Sequence, residues 1–148
     1  MDSTQRNHRT IDEVKNHFYL NNIISISVVN MSNLSEHFSI GEFTCRCGCG
    51  FDSISPELIT VLEDVRMHFG APVKINSGCR CEKHNAKVGG VPNSQHVQGI
   101  AADIVVSGRT SALVADYLER KYPDRYGVGR YSSFTHIDVR QAKARWRG

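Results

Sequence analysis

Two histidines and an aspartate carry the sharpest chemistry in this sequence. The stretch SQHVQGIAAD (94–103) offers His96 and Asp103 with Gly99 between them, and FTHIDV (134–139) supplies His136. Two imidazoles and a carboxylate are the donor set of a catalytic zinc site, in which three protein ligands leave one position for water. A Zn²⁺ held this way keeps net positive charge, which lowers the pKa of a coordinated water and polarises a carbonyl. Each residue alone is more often a hydrogen-bonded structural group, so the inference rests on the joint pattern.

Strand alternation says how the three could meet. In AADIVV (101–106), Asp103 shares a face with Ala101 and Val105, while Ala102, Ile104 and Val106 point into a core. In FTHIDV, His136 shares a face with Phe134 and Asp138, opposite Thr135, Ile137 and Val139. If these strands are neighbours, Asp103 and His136 face one another, and His96 closes the site from the preceding loop. Gly99 permits the close backbone approach this requires.

The remaining elements form a frame around that pair. Ser55 as N-cap, Pro56 at the first position and Gly70 as C-terminal cap delimit a helix. Its apolar face is Leu58, Leu62, Val65 and Phe69. VKINSG (73–78) reads as a strand ending in a tight turn, and a short helix follows around Glu82 to Lys87. Thr110 or Ser111 caps a further helix carrying Leu113, Val114, Tyr117 and Leu118, and YGVGRY and FTHIDV read as two strands close enough to pair antiparallel. The predicted fold class is α+β, a small antiparallel sheet flanked by helices. Residues 1–30 read as an N-terminal extension, with IDEVKNHFYL as a short helix and IISISVV as a strand. Residues 31–140 form the domain, and 141–148 a basic C-terminal tail.

SGCR (77–80), HNAKVGGVPNSQHVQGIAADI (84–104) and FTHIDVR (134–140) resemble the zinc D-alanyl-D-alanine carboxypeptidase family, and more narrowly its compact bacterial and phage members that cut peptidoglycan peptides. The resemblance implies the hedgehog/D-Ala-D-Ala peptidase-like fold, a Zn²⁺ cofactor on His96, Asp103 and His136, and stem or cross-link peptides as substrate. It also implies that Arg80 steadies a developing oxyanion or a substrate carboxylate, with Ser94 and Gln95 positioning substrate or loop. Many relatives carry a histidine two residues before the last ligand, or an acid three before it, as general base. Here those positions are Phe134 and Ser133. Asp138 is the candidate for base or for a partner that orients His136. The superfamily is related to the hedgehog signalling domain, which keeps zinc while acting as a binding protein, so a non-catalytic zinc-containing binding module is the alternative.

Cys45, Cys47 and Cys49 in TCRCGCG, and Cys79 and Cys81 in CRC, form two clusters. A structural zinc, a disulfide between the clusters and unlinked thiols all remain open, and a cross-link of some kind is the expectation. With 40% hydrophobic and 22% charged residues, wholesale disorder is excluded. A formal charge of +3 and the absence of any recognisable reader motif argue against nucleic acid as partner. The basic residues Arg140, Lys143, Arg145 and Arg147 read either as a patch for an anionic polymer such as a cell wall or as a solvated terminus. No apolar run is long enough for membrane insertion. The N-terminus shows no signal-peptide layout, since Asp2, Asp12 and Glu13 precede its only apolar stretch. The expectation is a monomer made in the cytoplasm and acting at the cell wall or periplasm.

Overall fold

The computed structural model describes residues 32–148, so the helix and strand expected within 1–30 lie outside the described residues. Helix α1 spans Pro56–Phe69, α2 Glu82–Lys87 and α3 Ser111–Lys121. Strands β1 (Val73–Ser77), β2 (Ala101–Val106), β3 (Gly127–Arg130), β4 (Thr135–Asp138) and β5 (Ala144–Arg147) form one sheet in the order β1-β2-β4-β3-β5.

The helix boundaries follow the local chemistry. Ser55 is extended before Pro56, and Gly70 takes the left-handed conformation at φ 56° that ends α1. Thr110 caps α3 by accepting the Leu113 backbone N–H at 3.2 Å. Leu58, Leu62 and Val65 of α1 are buried as their spacing predicts, with Ile59 and Val61 beside them. Leu113 departs from the expected apolar face and is exposed, because Val114, Tyr117 and Leu118 already occupy the inward side of α3. Both helices share one core cluster with Ile75, Ala102, Ile104, Val106, Val128 and Ile137. Each fully buried Val, Leu or Ile side chain among these contributes about 1.5–3 kcal/mol.

The sheet is antiparallel except at one edge, where β5 runs parallel to β3. That edge corrects the boundary expected at residue 140. Residues 144–147 are no basic tail but a strand, and Arg145 donates to the backbone carbonyls of Tyr126 at 2.6 Å and Tyr122 at 2.7 Å. The guanidinium is engaged by these carbonyls, the Tyr126 one already accepting from the Ala144 N–H at 3.0 Å, which removes it from any surface patch. Lys143 and Arg147 remain exposed.

Candidate metal centre

β2 and β4 are direct neighbours, and Asp103 pairs with His136 across them. The alternation that sends Ile104 and Ile137 into the core therefore presents Asp103 and His136 together on the opposite face. His96 comes from the loop after α2. That loop is held down where Gly99 (φ 70°) passes so close to the Ser53 carbonyl that a Cβ would collide with it, and where Ser55 N–H donates to the Gly99 carbonyl at 2.8 Å. The three side chains are buried, and one ligand atom from each lies within 4.8 Å of the others.

The hydrogen bonds specify which atoms are free. His96 Nδ1 lies 2.7 Å from the Gly78 carbonyl, which can only accept, so Nδ1 carries the proton. Its Nε2 lone pair then faces Asp103 Oδ1 at 3.3 Å, acceptor against acceptor, an arrangement a cation between them satisfies. His136 Nδ1 approaches the same oxygen at 2.8 Å. Two imidazole nitrogens and a carboxylate oxygen converging on one buried point are a donor set that fits zinc. Burial works against ionisation of Asp103, but the two imidazoles beside it, His136 and His96, outweigh it and hold the carboxyl well below its usual range.

Asp138 stands behind His136 rather than in the open cleft. Its side chain has no exposure, and Oδ2 lies 3.0 Å from His136 Nε2. Arg140 grips the same carboxylate with Nε and Nη2, each at 2.7 Å. Of the two roles considered for Asp138, base or orienting partner, this geometry suits the second: accepting the Nε2–H of His136 leaves the Nδ1 lone pair toward the centre. Burial would raise the Asp138 carboxyl, yet the hydrogen bonds from His136 and Arg140 lower it well below its usual range. The pKa of the His136 imidazole is raised, since the Asp103 and Asp138 carboxylates on either side of it outweigh burial.

Arg80 reaches the site from the turn after β1. Its Nε donates to Ser77 Oγ at 2.9 Å and its Nη2 to Asp103 Oδ2 at 3.0 Å. A guanidinium has five N–H donors, so these two bonds leave others for a substrate. A cleft of about 560 Å³ opens over the three candidate ligands and Arg80, and Ser94 and Gln95 also line it.

Four contributors escaped the sequence reading. Trp146 of β5 lies against His136, ring centroids 5.1 Å apart, with the Arg140 guanidinium 5.5 Å from its own centroid. Tyr131 accepts a hydrogen bond from Trp146 Nε1 at 3.1 Å and stacks on Phe134 at 4.3 Å. Gly127 and Gly129 make room for them: a Cβ at Gly127 would strike the Asp138 carboxylate, and one at Gly129 would sit 2.6 Å from the Trp146 ring. The signal in the sequence was the GVG alternation, which bares one face of β3 beside Asp138 and His136.

The cysteines show no disulfide, and all five are free thiols. Four of them nevertheless converge.

A buried His/Asp/His set on one face of an α+β sheet, beneath a cleft with a free cationic donor, defines a metal-dependent hydrolase. A family model described as Peptidase M15 matches residues 36–138. The chain belongs to that family, and with it to the zinc metallopeptidases. A search of the curated proteins found no match.

Proposed function

We propose that this peptidase hydrolyses an amide bond in peptidoglycan stem or cross-link peptides, with His96, Asp103 and His136 as its zinc ligands. The observation that carries the reading is the placement of those three side chains together with Arg80 at the floor of one cleft. The substrate class is supported by the resemblance of SGCR, SQHVQGIAAD and FTHIDVR to peptidoglycan-cutting relatives. A substrate of that kind places the work at the cell wall or in the periplasm, on a chain acting as a monomer.

Zinc held there supplies a Lewis acid that polarises the scissile carbonyl and brings the pKa of water toward neutrality. Arg80 directs its spare N–H groups at an oxygen that gains charge, or at a terminal carboxylate of the peptide. Because Asp103 Oδ2 fixes one end of the guanidinium, the group is oriented before substrate arrives. Asp138 sets the tautomer of His136, and Arg140 keeps Asp138 ionised and in place. Tyr131, whose hydroxyl accepts from Trp146, lines the cleft and has an O–H available to a substrate. Phe134 and Ser133 supply no proton carrier where many relatives have one.

The test is a digest of purified murein by zinc-loaded protein, with new peptide ends read by mass spectrometry. New ends that vanish with chelator and with His96→Ala are expected, and they identify the bond. Murein left intact by protein with zinc demonstrably bound would overturn the reading in favour of a binding module. The sealed position of Asp138 and the identity of Phe134 are the features that favour that second reading.

A further inference from the structure

We propose that Cys45, Cys47, Cys49 and Cys81 form a second, purely structural zinc site. The four sulfurs lie within 4.8 Å of one another. Cys45 and Cys47 Sγ are 3.5 Å apart, and Cys47 and Cys81 Sγ 3.6 Å. A tetrahedron of thiolates with Zn–S bonds of about 2.3 Å has edges of about 3.8 Å, whereas a disulfide draws two sulfurs to about 2.05 Å. The observed spacing matches the edge of a coordination tetrahedron.

The backbone explains how so tight a C-x-C-x-C run can wrap one centre. Gly48, between Cys47 and Cys49, and Gly50, just after Cys49, both take φ 81°, a left-handed conformation that curls the chain around the cluster. Cys45 N–H donates to the Phe51 carbonyl at 2.8 Å, closing the loop on itself. The fourth sulfur arrives from a distant segment, immediately before α2. Backbone N–H groups point at the sulfurs, from Cys81 to Cys45 Sγ at 3.4 Å and from His84 to Cys81 Sγ at 3.3 Å.

The loop also needs what a metal would provide. Between Thr44 and Gly50 the chain has no apolar side chain except its cysteines, and Cys47 and Cys49 are exposed. It cannot be held by hydrophobic burial, and metal binding is the alternative source of local folding free energy. Four soft sulfurs select zinc over magnesium or calcium and leave no open position for chemistry. Binding Zn²⁺ displaces the four thiol protons to solvent, with no change of redox state. Cys79 takes no part: it is buried on the other side of the chain, its N–H bonded to the Phe43 carbonyl at 2.8 Å.

This site would brace the hydrolytic one. Arg80 immediately precedes Cys81, and its N–H donates to the His96 carbonyl at 3.0 Å. Gly78, two residues earlier, accepts from His96 Nδ1. The segment that the thiolate site would anchor thus holds both Arg80 and the first candidate ligand.

The proposal rests on the four sulfurs alone, so its failure leaves the proposed function standing. The experiment counts zinc per chain in full-length protein purified under reductant, loaded with zinc and desalted. Wild type is expected to hold two ions, His96→Ala one, and Cys47→Ser/Cys49→Ser one. Cobalt in place of zinc should give sulfur-to-metal charge-transfer absorption that persists in His96→Ala and disappears in the double cysteine variant. If the cysteine variant fails to fold, His96→Ala still decides, because its remaining ion must show the thiolate spectrum. A single ion in wild type with Cys47, Cys49 and Cys81 alkylated as fast as in unfolded chain would overturn the proposal, as would His96→Ala holding none.

Discussion

The Asp138→Asn substitution separates the two roles an acid can play beside a metal-bound histidine. Asp138 accepts from His136 Nε2 on one side and from Arg140 Nε and Nη2 on the other. Asparagine keeps the shape but turns one acceptor into a donor. If the amide oxygen takes the Oδ1 position against Arg140 Nε, the NH₂ group meets Arg140 Nη2 and also His136 Nε2, which must then accept and carry its proton on Nδ1. That proton occupies the lone pair aimed at Asp103 and the proposed zinc position. If the amide flips, its NH₂ meets the guanidinium, donor against donor, in a fully buried position. Either way the histidine is held less often in the ligating tautomer, and losing such a partner costs about 10- to 100-fold in metal affinity or activity, roughly 1.4–2.7 kcal/mol. The assay is zinc competition against a chelating indicator, run beside kcat/KM at saturating zinc and a thermal melt. Zinc affinity should fall by that factor, with activity largely restored by excess zinc. An unchanged zinc affinity with kcat alone collapsing would refute the reasoning and return Asp138 to the role of base.

Other expectations follow from the same geometry. Arg80→Ala removes the charged donor proposed for a substrate oxygen, a hydrogen bond worth about 1.5–3 kcal/mol, so kcat/KM should drop roughly tenfold to hundredfold, while Arg80→Lys recovers little because it cannot bridge Ser77 and Asp103 together. Gly129→Ala drives a methyl into the Trp146 ring, and the overpacking should lower stability by about 1–3 kcal/mol, read as a shifted denaturant midpoint. The Tyr122 and Tyr126 phenols are pushed up to about 12 from 10 by burial, joined by the Asp64 charge for Tyr122 and the Glu57 hydrogen bond for Tyr126. The unfolded chain releases these protons first, so the stability they confer is complete below pH 10 and is lost as pH rises to about 12. Urea titrations across that interval should show the fall, and Tyr126→Phe should make it shallower.

The parts legible in the sequence were those fixed by short-range periodicity. Alternation placed Asp103 and His136 on one strand face each, and the cap residues Ser55, Pro56 and Gly70 marked α1 to the residue. Pairing partners were less legible. The β2–β4 adjacency had to be assumed before the two faces could be joined, and the parallel pairing of β5 with β3 left no local trace. ARWR is too short to show a period of two, and its arginines look like solvated charge until Arg145 is seen bonded to two carbonyls. Trp146 was missed for that reason. The role of Asp138 could be narrowed only once Arg140 was seen enclosing it, because a strand-end carboxylate reads the same whether buried or exposed. The cysteine clusters converge as two segments bordering one region should, but the alternation within CRC divides them, Cys81 toward the cluster and Cys79 into the interior.

The direct pairing of Asp103 with His136 makes the sheet a proofreading device for its own chemistry. A slip of one residue between β2 and β4 would throw a strand's side chains to the opposite face, separating the two candidate ligands. The same slip would lift Ile104 or Ile137 out of the core, each worth a few kcal/mol. The penalty against the misaligned state is therefore levied by residues that never touch substrate. Heating should abolish activity and unfold the sheet in a single transition, with no inactive, mispaired species between them.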